Sequence, residues 1–365
     1  MSWMHVLTMT AEHTVLVLPF TPSILADPTS ILHLVYKTTQ DSRESCTILF
    51  STPSTPTGDI YSVLKAEPRK YWHTFQKFLG RVYATLSAAQ WSVGRVLMDV
   101  EVGFEGYDLQ QRFGGKKVKV VNLRCECTRE MGLMIAFMDL PIISKLNQVL
   151  GAHEGYTVPT SDLDLGSTGT SLEDSINTSS SSGYPTTALG GTFDHLHAAH
   201  KLLLHLSLFL TTHKLIVGVM TPSLLQSKSN AQLLQTLDER IRTTKDFLSR
   251  QGTNVELDVV EIHDPFGPTA WDGDIQALVV SKETVSGGEA VNKKRKEKGL
   301  GKLDVWVIDV IAAEPGIAQS SEKDQGHKGG IKIRDLNHVD DEGELKDLKM
   351  GSTAIRQWIK DHPSS

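Results

Sequence analysis

The chain has 365 residues, of which 39% are apolar and 22% charged, with a formal net charge of −6. That length exceeds one ordinary compact domain and suits two. The acidic balance excludes a general electrostatic grip on nucleic acid, and no uninterrupted run of about 18 apolar residues marks a membrane span. Three cysteines, Cys46, Cys125 and Cys127, are too few and too unevenly placed for a disulfide framework or a four-ligand zinc site and read as plain thiols.

At the N-terminus Glu12 precedes any basic residue, and the first Lys or Arg is Lys37, so neither a secretory nor a transit peptide is visible and a cytoplasmic location is expected. The β-branched runs 14–20, 96–102 and 117–123 predict strands. Between Glu67 and Ala89 the residues Tyr71, Trp72, Phe75, Phe78, Leu79, Val82, Tyr83 and Leu86 fall at helical spacing on one apolar face, which reads as core rather than as a ligand shelf. Residues 1–156 are thus expected to form an α/β or α+β domain, in which no catalytic motif is found; a docking or regulatory role follows as its expected task.

Ser, Thr, Gly and Asp crowd residues 157–185, as in Asn177-Thr-Ser-Ser-Ser-Ser-Gly183. Such a stretch buries too little apolar surface to offset its ordering entropy, so a flexible linker is expected there. Residues 186–365 then alternate regularly. Strands are expected at 186–190, 215–220, 255–262, 276–281 and 304–310, and helices at 198–210, 231–250 and 352–360. Strand and helix alternating in this way predict a doubly wound parallel sheet, with ligands beyond the carboxyl ends of the strands. The charged, Gly-rich stretch 312–347 reads as an exposed insertion, and Lys293-Lys-Arg-Lys-Glu-Lys298 as a solvated helix face.

Chemistry concentrates at Gly190-Gly191-Thr192-Phe193-Asp194-His195-Leu196-His197-Ala-Ala-His200. Two glycines ending a strand let backbone approach an anion, and the following helix aims free N–H groups and its positive dipole end at the same place. His197 and His200, three apart, project from the same side of the first turn and can each donate to a phosphoryl oxygen. Their alternatives are a capping or core role, or metal ligation, for which an HxxH with Asp194 as its nearest carboxylate is a weak signal. A second element, Lys349-Met350-Gly351-Ser352-Thr353-Ala-Ile-Arg356, opens the last helix. Ser352 and Thr353 offer hydroxyls and N–H groups, and Arg356 a planar charged donor one turn later, although a Ser-Thr helix start taken alone is ordinary capping.

Together these segments resemble the phosphopantetheine adenylyltransferases, in particular the eukaryotic type also found in bifunctional CoA synthases, within the nucleotidyltransferases that carry an HxGH element and a late ISSTxxR-like element. The matching stretches are His197-Ala-Ala-His200 and Met350-Gly-Ser-Thr-Ala-Ile-Arg356, with Thr221-Pro-Ser-Leu-Leu-Gln-Ser-Lys228, Asp264-Pro-Phe-Gly-Pro268, Val279-Val-Ser-Lys-Glu-Thr284 and Gly287-Gly-Glu-Ala-Val-Asn292. Ala199 stands in place of the usual Gly, and Gly351 in place of the first Ser of the late element.

The resemblance implies a Rossmann-like nucleotidyltransferase domain over 186–365 that joins ATP to 4′-phosphopantetheine. It implies that Gly191, Thr192 and Phe193 line the ATP phosphates, with Thr192 also meeting the incoming phosphate. His197 and His200 would stabilise the transition state at the α-phosphorus, and Lys228 would bind and balance the phosphate of phosphopantetheine. Ser352, Thr353 and Arg356 would hold the departing pyrophosphate, Met350 and Gly351 would also bind ATP, and Ser281 and Thr284 would lie near adenine. Mg2+ would bridge the triphosphate and share its charge, with only one or two protein ligands at most and no metal-ligating residue assigned. No G-x-x-x-x-G-K-[ST] occurs, so the final phosphorylation of the pathway is assigned to a separate dephospho-CoA kinase. Another HxGH nucleotidyltransferase, or a catalytically silent nucleotide-binding scaffold, are the alternatives.

Overall fold

The computed structural model describes residues 11–53, 59–124, 140–150, 154–159, 182–308, 311–313, 333–335 and 351–363. In the N-terminal half β1 (Ala11–Pro19) is followed by α1 (Pro22–Ala26), α2 (Thr29–Asp41), β2 (Ser42–Ser51), α3 (Ile60–Ala66) and α4 (Trp72–Ser92). Next come β3 (Asp99–Gly103), α5 (Leu109–Phe113), β4 (Val118–Arg124), α6 (Pro141–Leu150) and β5 (Glu154–Pro159). All five strands are parallel, in the order β3-β2-β1-β4-β5. The half is therefore α/β, the first of the two classes expected for it.

The C-terminal half begins with β6 (Tyr184–Gly191), α7 (Ala198–Leu210), β7 (Thr211–Met220), α8 (Leu237–Ser249) and β8 (Glu256–Ile262). It continues with β9 (Ala277–Ser281), α9 (Val285–Glu297) and β10 (Asp304–Ile308). These strands form a second all-parallel sheet, ordered β10-β9-β6-β7-β8. β11 (Ile311–Ala313) and β12 (Ile333–Asp335) pair antiparallel, and α10 (Ser352–Asp361) is the last helix. The doubly wound parallel sheet expected from the alternation is thus present.

Three differences from the sequence expectation have physical causes. The helix expected over 231–250 starts at Leu237, because Asn230 takes a left-handed conformation and the chain makes only a single 3₁₀ turn at 231–233 before a capping box on Thr236 and Glu239 opens α8. Residues 157–159 and 184–185, at the edges of the expected linker, belong to β5 and β6; residues 160–181 between them lie outside the described residues. Arg295, expected on a solvated face of α9, is 1% exposed and donates to the carbonyls of Gly301, Thr269 and Asp272. Most of the stretch 312–347 also lies outside the described residues.

Helix α7 is buried nearly all round: Leu202, Leu204, His205, Leu206, Leu208, Phe209 and Leu210 are all buried. A helix with that pattern needs apolar neighbours on both sides. It has its own sheet on one side and α4 of the N-terminal half on the other, where Phe209 meets Phe75 with ring centroids 4.3 Å apart. The aromatic face read from α4 is core, as expected, and a single apolar cluster runs from Leu16 and Phe50 through α4 to α7 and β7.

Candidate active site

The carboxyl ends of β6 and β7 are tied to each other, the first turns of α7 and α10 meet beside them, and β9 ends next to β6. β6 runs three residues past its paired Ala188 to Gly191, and β9 three past Leu278 to Ser281. The chain leaving β6 then turns sharply, with Phe193 and His195 both in the left-handed region at φ 48° and 45°. Two such non-glycine residues cost about 1–3 kcal/mol each, and the turn is held by several bonds. The His195 N–H donates to Gln235 Oε1 at 2.7 Å, and the Gln235 N–H donates to Asp194 Oδ1 at 2.9 Å. Arg240, buried on α8, donates to the carbonyls of Thr192 and Met220, both at 2.8 Å, tying the ends of β6 and β7 together.

Asp194 is 0% exposed and accepts from Arg356 Nη1 at 2.7 Å; Arg356, 1% exposed, also donates to the Ser229 carbonyl at 2.9 Å. Through this pair α10 is fastened both to the turn after β6 and to the loop that carries Lys228. Ser352, at the start of α10, donates to the Asp194 carbonyl at 3.3 Å, and its hydroxyl lies 3.1 Å from His197 Nε2.

The imidazoles of His197 and His200 stack with centroids 3.9 Å apart at 27°, and Phe193 backs His200 at 5.3 Å. Burial, aided by neighbouring positive charge, lowers the His197 pKa to about 3, and burial likewise holds His200 well below the usual histidine range. Both rings are therefore neutral at physiological pH, which lets them stack without charge repulsion. The Nδ1 atoms of both are shut off from solvent and have no hydrogen-bond partner. Buried polar nitrogens are normally satisfied, so two orphans side by side mark a place for a polar ligand atom. His197 occupies the N-cap position of α7, yet its side chain makes no capping bond.

Neither α7 nor α10 carries a side-chain cap. Their first amides lack intrahelical acceptors and point, with the positive dipole ends, into an anion-binding geometry. Gly351 is the N-cap of α10, and a Cβ there would meet nothing within 4 Å, so the departure from Ser leaves open space rather than relieving a clash. A Cβ on Gly191, by contrast, would stand 3.0 Å from the Phe193 ring.

The structure thus brings Phe193, His197, His200, Ser352, Thr353 and Arg356 together. Lys228 is exposed on the loop next to Ser229. Ser281 and Thr284 form their own capping box at the end of β9, the Ser281 N–H donating to Thr284 Oγ1 at 3.1 Å. Met350 lies outside the described residues. The sequence reading missed Asp194 as a structural anchor, together with Arg240 and Gln235. Only an uncommon pattern, a carboxylate inside an apolar turn, could have flagged the first of them.

The cytidylyltransferase-like family matches residues 188–323. A phosphopantetheine adenylyltransferase of Saccharomyces cerevisiae is 45% identical over 125 residues, which cover 34% of this chain and 41% of that one. Another, of Methanopyrus kandleri, is 30% identical over 147 residues covering 40% of this chain and 92% of the relative, and that of Pyrococcus furiosus is 32% identical over 138 residues covering 38% and 85%. The chain belongs to the phosphopantetheine adenylyltransferase family. Its match spans less than half of the yeast relative's length but nearly the whole of the archaeal ones. Among the described residues no helix is long and apolar enough to cross a membrane.

Proposed function

We propose that the chain transfers the adenylyl group of ATP to 4′-phosphopantetheine, giving dephospho-CoA and pyrophosphate. The observation that carries this reading is the convergence of two uncapped helix starts on a pair of neutral, stacked imidazoles whose Nδ1 atoms are buried without partners. A phosphate oxygen of phosphopantetheine forms a bond to the α-phosphorus of ATP while the bond from that phosphorus to the bridging α,β oxygen breaks. The nucleophile is already an anion, so no proton has to be removed from it. Catalysis then rests on alignment and on donors aimed at the charge that builds on the α-phosphoryl oxygens.

In this reading each neutral imidazole offers one N–H, whichever tautomer is adopted. Gly191, Thr192 and Phe193 bring backbone to the phosphates. The amides of Ser352 and Thr353, with the Ser352 hydroxyl, receive the departing pyrophosphate. Arg356 shapes that end of the site through its ion pair with Asp194, and Lys228 captures the phosphate of the second substrate from its exposed loop. Ser281 and Thr284, ending β9, lie toward the base.

Magnesium enters as part of the nucleotide substrate. Among the described residues no three His, Cys, Asp or Glu side chains are grouped to hold a metal ion, and both carboxylate oxygens of Asp194 are engaged by Gln235 and Arg356. A metal–nucleotide that keeps its own water ligands suits that arrangement. The product would pass to a separate kinase, and the reaction fits a soluble, cytoplasmic setting.

Pyrophosphate release measured with MgATP and 4′-phosphopantetheine tests the reading directly. Release that needs both substrates and yields dephospho-CoA supports it. Turnover with CTP in place of ATP, or none with phosphopantetheine as acceptor, would sink it.

A further inference from the structure

Read from the edge inward, the C-terminal sheet runs third, second, first, fourth and fifth strand of its half, and the N-terminal sheet has the same order. The connections agree as well. In each half helix follows the first and second strands, a short helical turn lies between the third and fourth (α5 in one, 3₁₀ residues Gly267–Ala270 in the other), and helix again joins the fourth to the fifth. The N-terminal half is a second copy of the nucleotidyltransferase topology.

Its chemistry has been replaced by packing. Where the first strand of the C-terminal half ends in glycines, β1 ends in Pro19, and the next residue, Phe20, packs against Phe50, Phe78 and Phe104 at centroid distances of 5.1–5.8 Å. The first turn of α2, Thr29-Ser-Ile-Leu32, carries no imidazole. What this half does offer is the edge strand β3, laid against α7 and α8. Lys201, next in sequence to His200 and 2% exposed, donates to Asp99 and, at 2.8 Å, to the Val100 carbonyl. Glu101, 0% exposed, accepts from Arg250 at the end of α8, and Arg112 lies against both Asp99 and Glu101. Beyond α8 the two backbones touch: Gly252 at φ +60° would place a Cβ 1.7 Å from the Gly106 carbonyl oxygen, so only glycine fits.

We propose that the N-terminal half is a chemically silent duplicate whose task is to set the position of the imidazole-bearing helix, with Asp99 and Lys201 as the positioning pair. Lys201 makes the first helical bond of α7, its N–H donating to the His197 carbonyl at 3.0 Å. The rotation that Asp99 imposes on Lys201 is therefore passed within one turn to both rings. The far end of α7 is held by the same half, through Phe209 on Phe75 and His205 against Phe104. This differs from the docking or regulatory module expected from the sequence, which would leave turnover independent of the N-terminal half.

The inference rests on the adenylyltransferase reading for its kinetic arm, so the full-length wild type is assayed first and hydrogen exchange of the first bonded amides of α7, residues 201–204, serves as an arm independent of activity. Asp99→Asn is expected to lower kcat roughly 10- to 100-fold with the KM for MgATP and phosphopantetheine within about twofold, the scale of a small misplacement of reacting groups, and to speed exchange over 201–204. Asp99→Leu combined with Lys201→Met removes both members of the pair and leaves Arg112 with Glu101 as its remaining partner, and is expected to fold while keeping the kcat defect; it decides the question if Asp99→Asn does not fold. Turnover within twofold of wild type in the folded variant, a change confined to KM, or unchanged exchange overturns the proposal. An inactive wild type sinks the adenylyltransferase reading alone and leaves the exchange result to decide this one.

Discussion

Asp194 and Arg356, 162 positions apart, form an ion pair at 2.7 Å in which neither partner reaches solvent. The pair fastens α10 to the strained turn after β6, and Arg356 extends the link to the Ser229 carbonyl. Removing one member of a buried pair leaves the other charge uncompensated, at a cost of about 3–5 kcal/mol. Asp194→Ala is therefore expected to lower the unfolding free energy, measured by denaturant titration, by that amount and to abolish pyrophosphate release, because α10 loses its seat beside His197. An unfolding free energy within about 0.5 kcal/mol of wild type, the range of ordinary surface changes, would show that the pair does not hold the site together.

In the proposed reaction His200 would offer an N–H to the α-phosphoryl group, and its Nδ1 has no hydrogen-bond partner to lose on substitution. Losing one transition-state donor typically costs 10²- to 10³-fold in kcat, and His200→Ala is expected to fall in about that range with the KM for ATP nearly unchanged. Steady-state kinetics check this. A near-normal kcat would remove His200 from the mechanism.

The elements that hold these groups were largely legible beforehand. Strand and helix periods placed α7 at its observed ends, and the spacing of His197 and His200 put both rings on one side, as their stacking bears out. Contacts between distant segments were not legible. Nothing local to Asp194 announces Arg356, and an apolar run such as β1–α2 carries no sign that it repeats the path of β6–α7 once its glycines and histidines are gone. The late start of α8 escaped for a related reason. Residues 231–236 have helical composition, but the Gln235 N–H is taken by Asp194, a tertiary bond that overrides local propensity.

Lys228 sits exposed on the loop whose next residue, Ser229, is held by Arg356, so the side chain is placed without being buried. Lys228→Ala is expected to leave stability within about 0.5 kcal/mol of wild type and to raise the KM for phosphopantetheine roughly tenfold or more, the cost of about 1.4 kcal/mol of lost charge-assisted binding. Kinetics with each substrate varied in turn decide the matter. A rise confined to the KM for ATP would assign Lys228 to the nucleotide instead.

His205 lies in the core between the two halves, against Phe75, Phe104, Tyr83 and Phe247, and neither ring nitrogen has a partner. Burial lowers its pKa to about 3 from 6.5. The unfolded chain takes up this proton near pH 6.5 and the folded one does not, so between those values the unfolded state binds more protons and stability falls as pH falls. The stabilisation is complete above about pH 6.5 and is lost progressively toward pH 3. From pH 7.5 to pH 5 this one residue accounts for about 2 kcal/mol. His205→Leu removes the titration together with two unsatisfied nitrogens, so the variant is expected to lose about 2 kcal/mol less than wild type over that interval. Urea denaturation at both pH values measures the difference, and parallel losses in the two proteins would mean that the folded chain admits the proton after all.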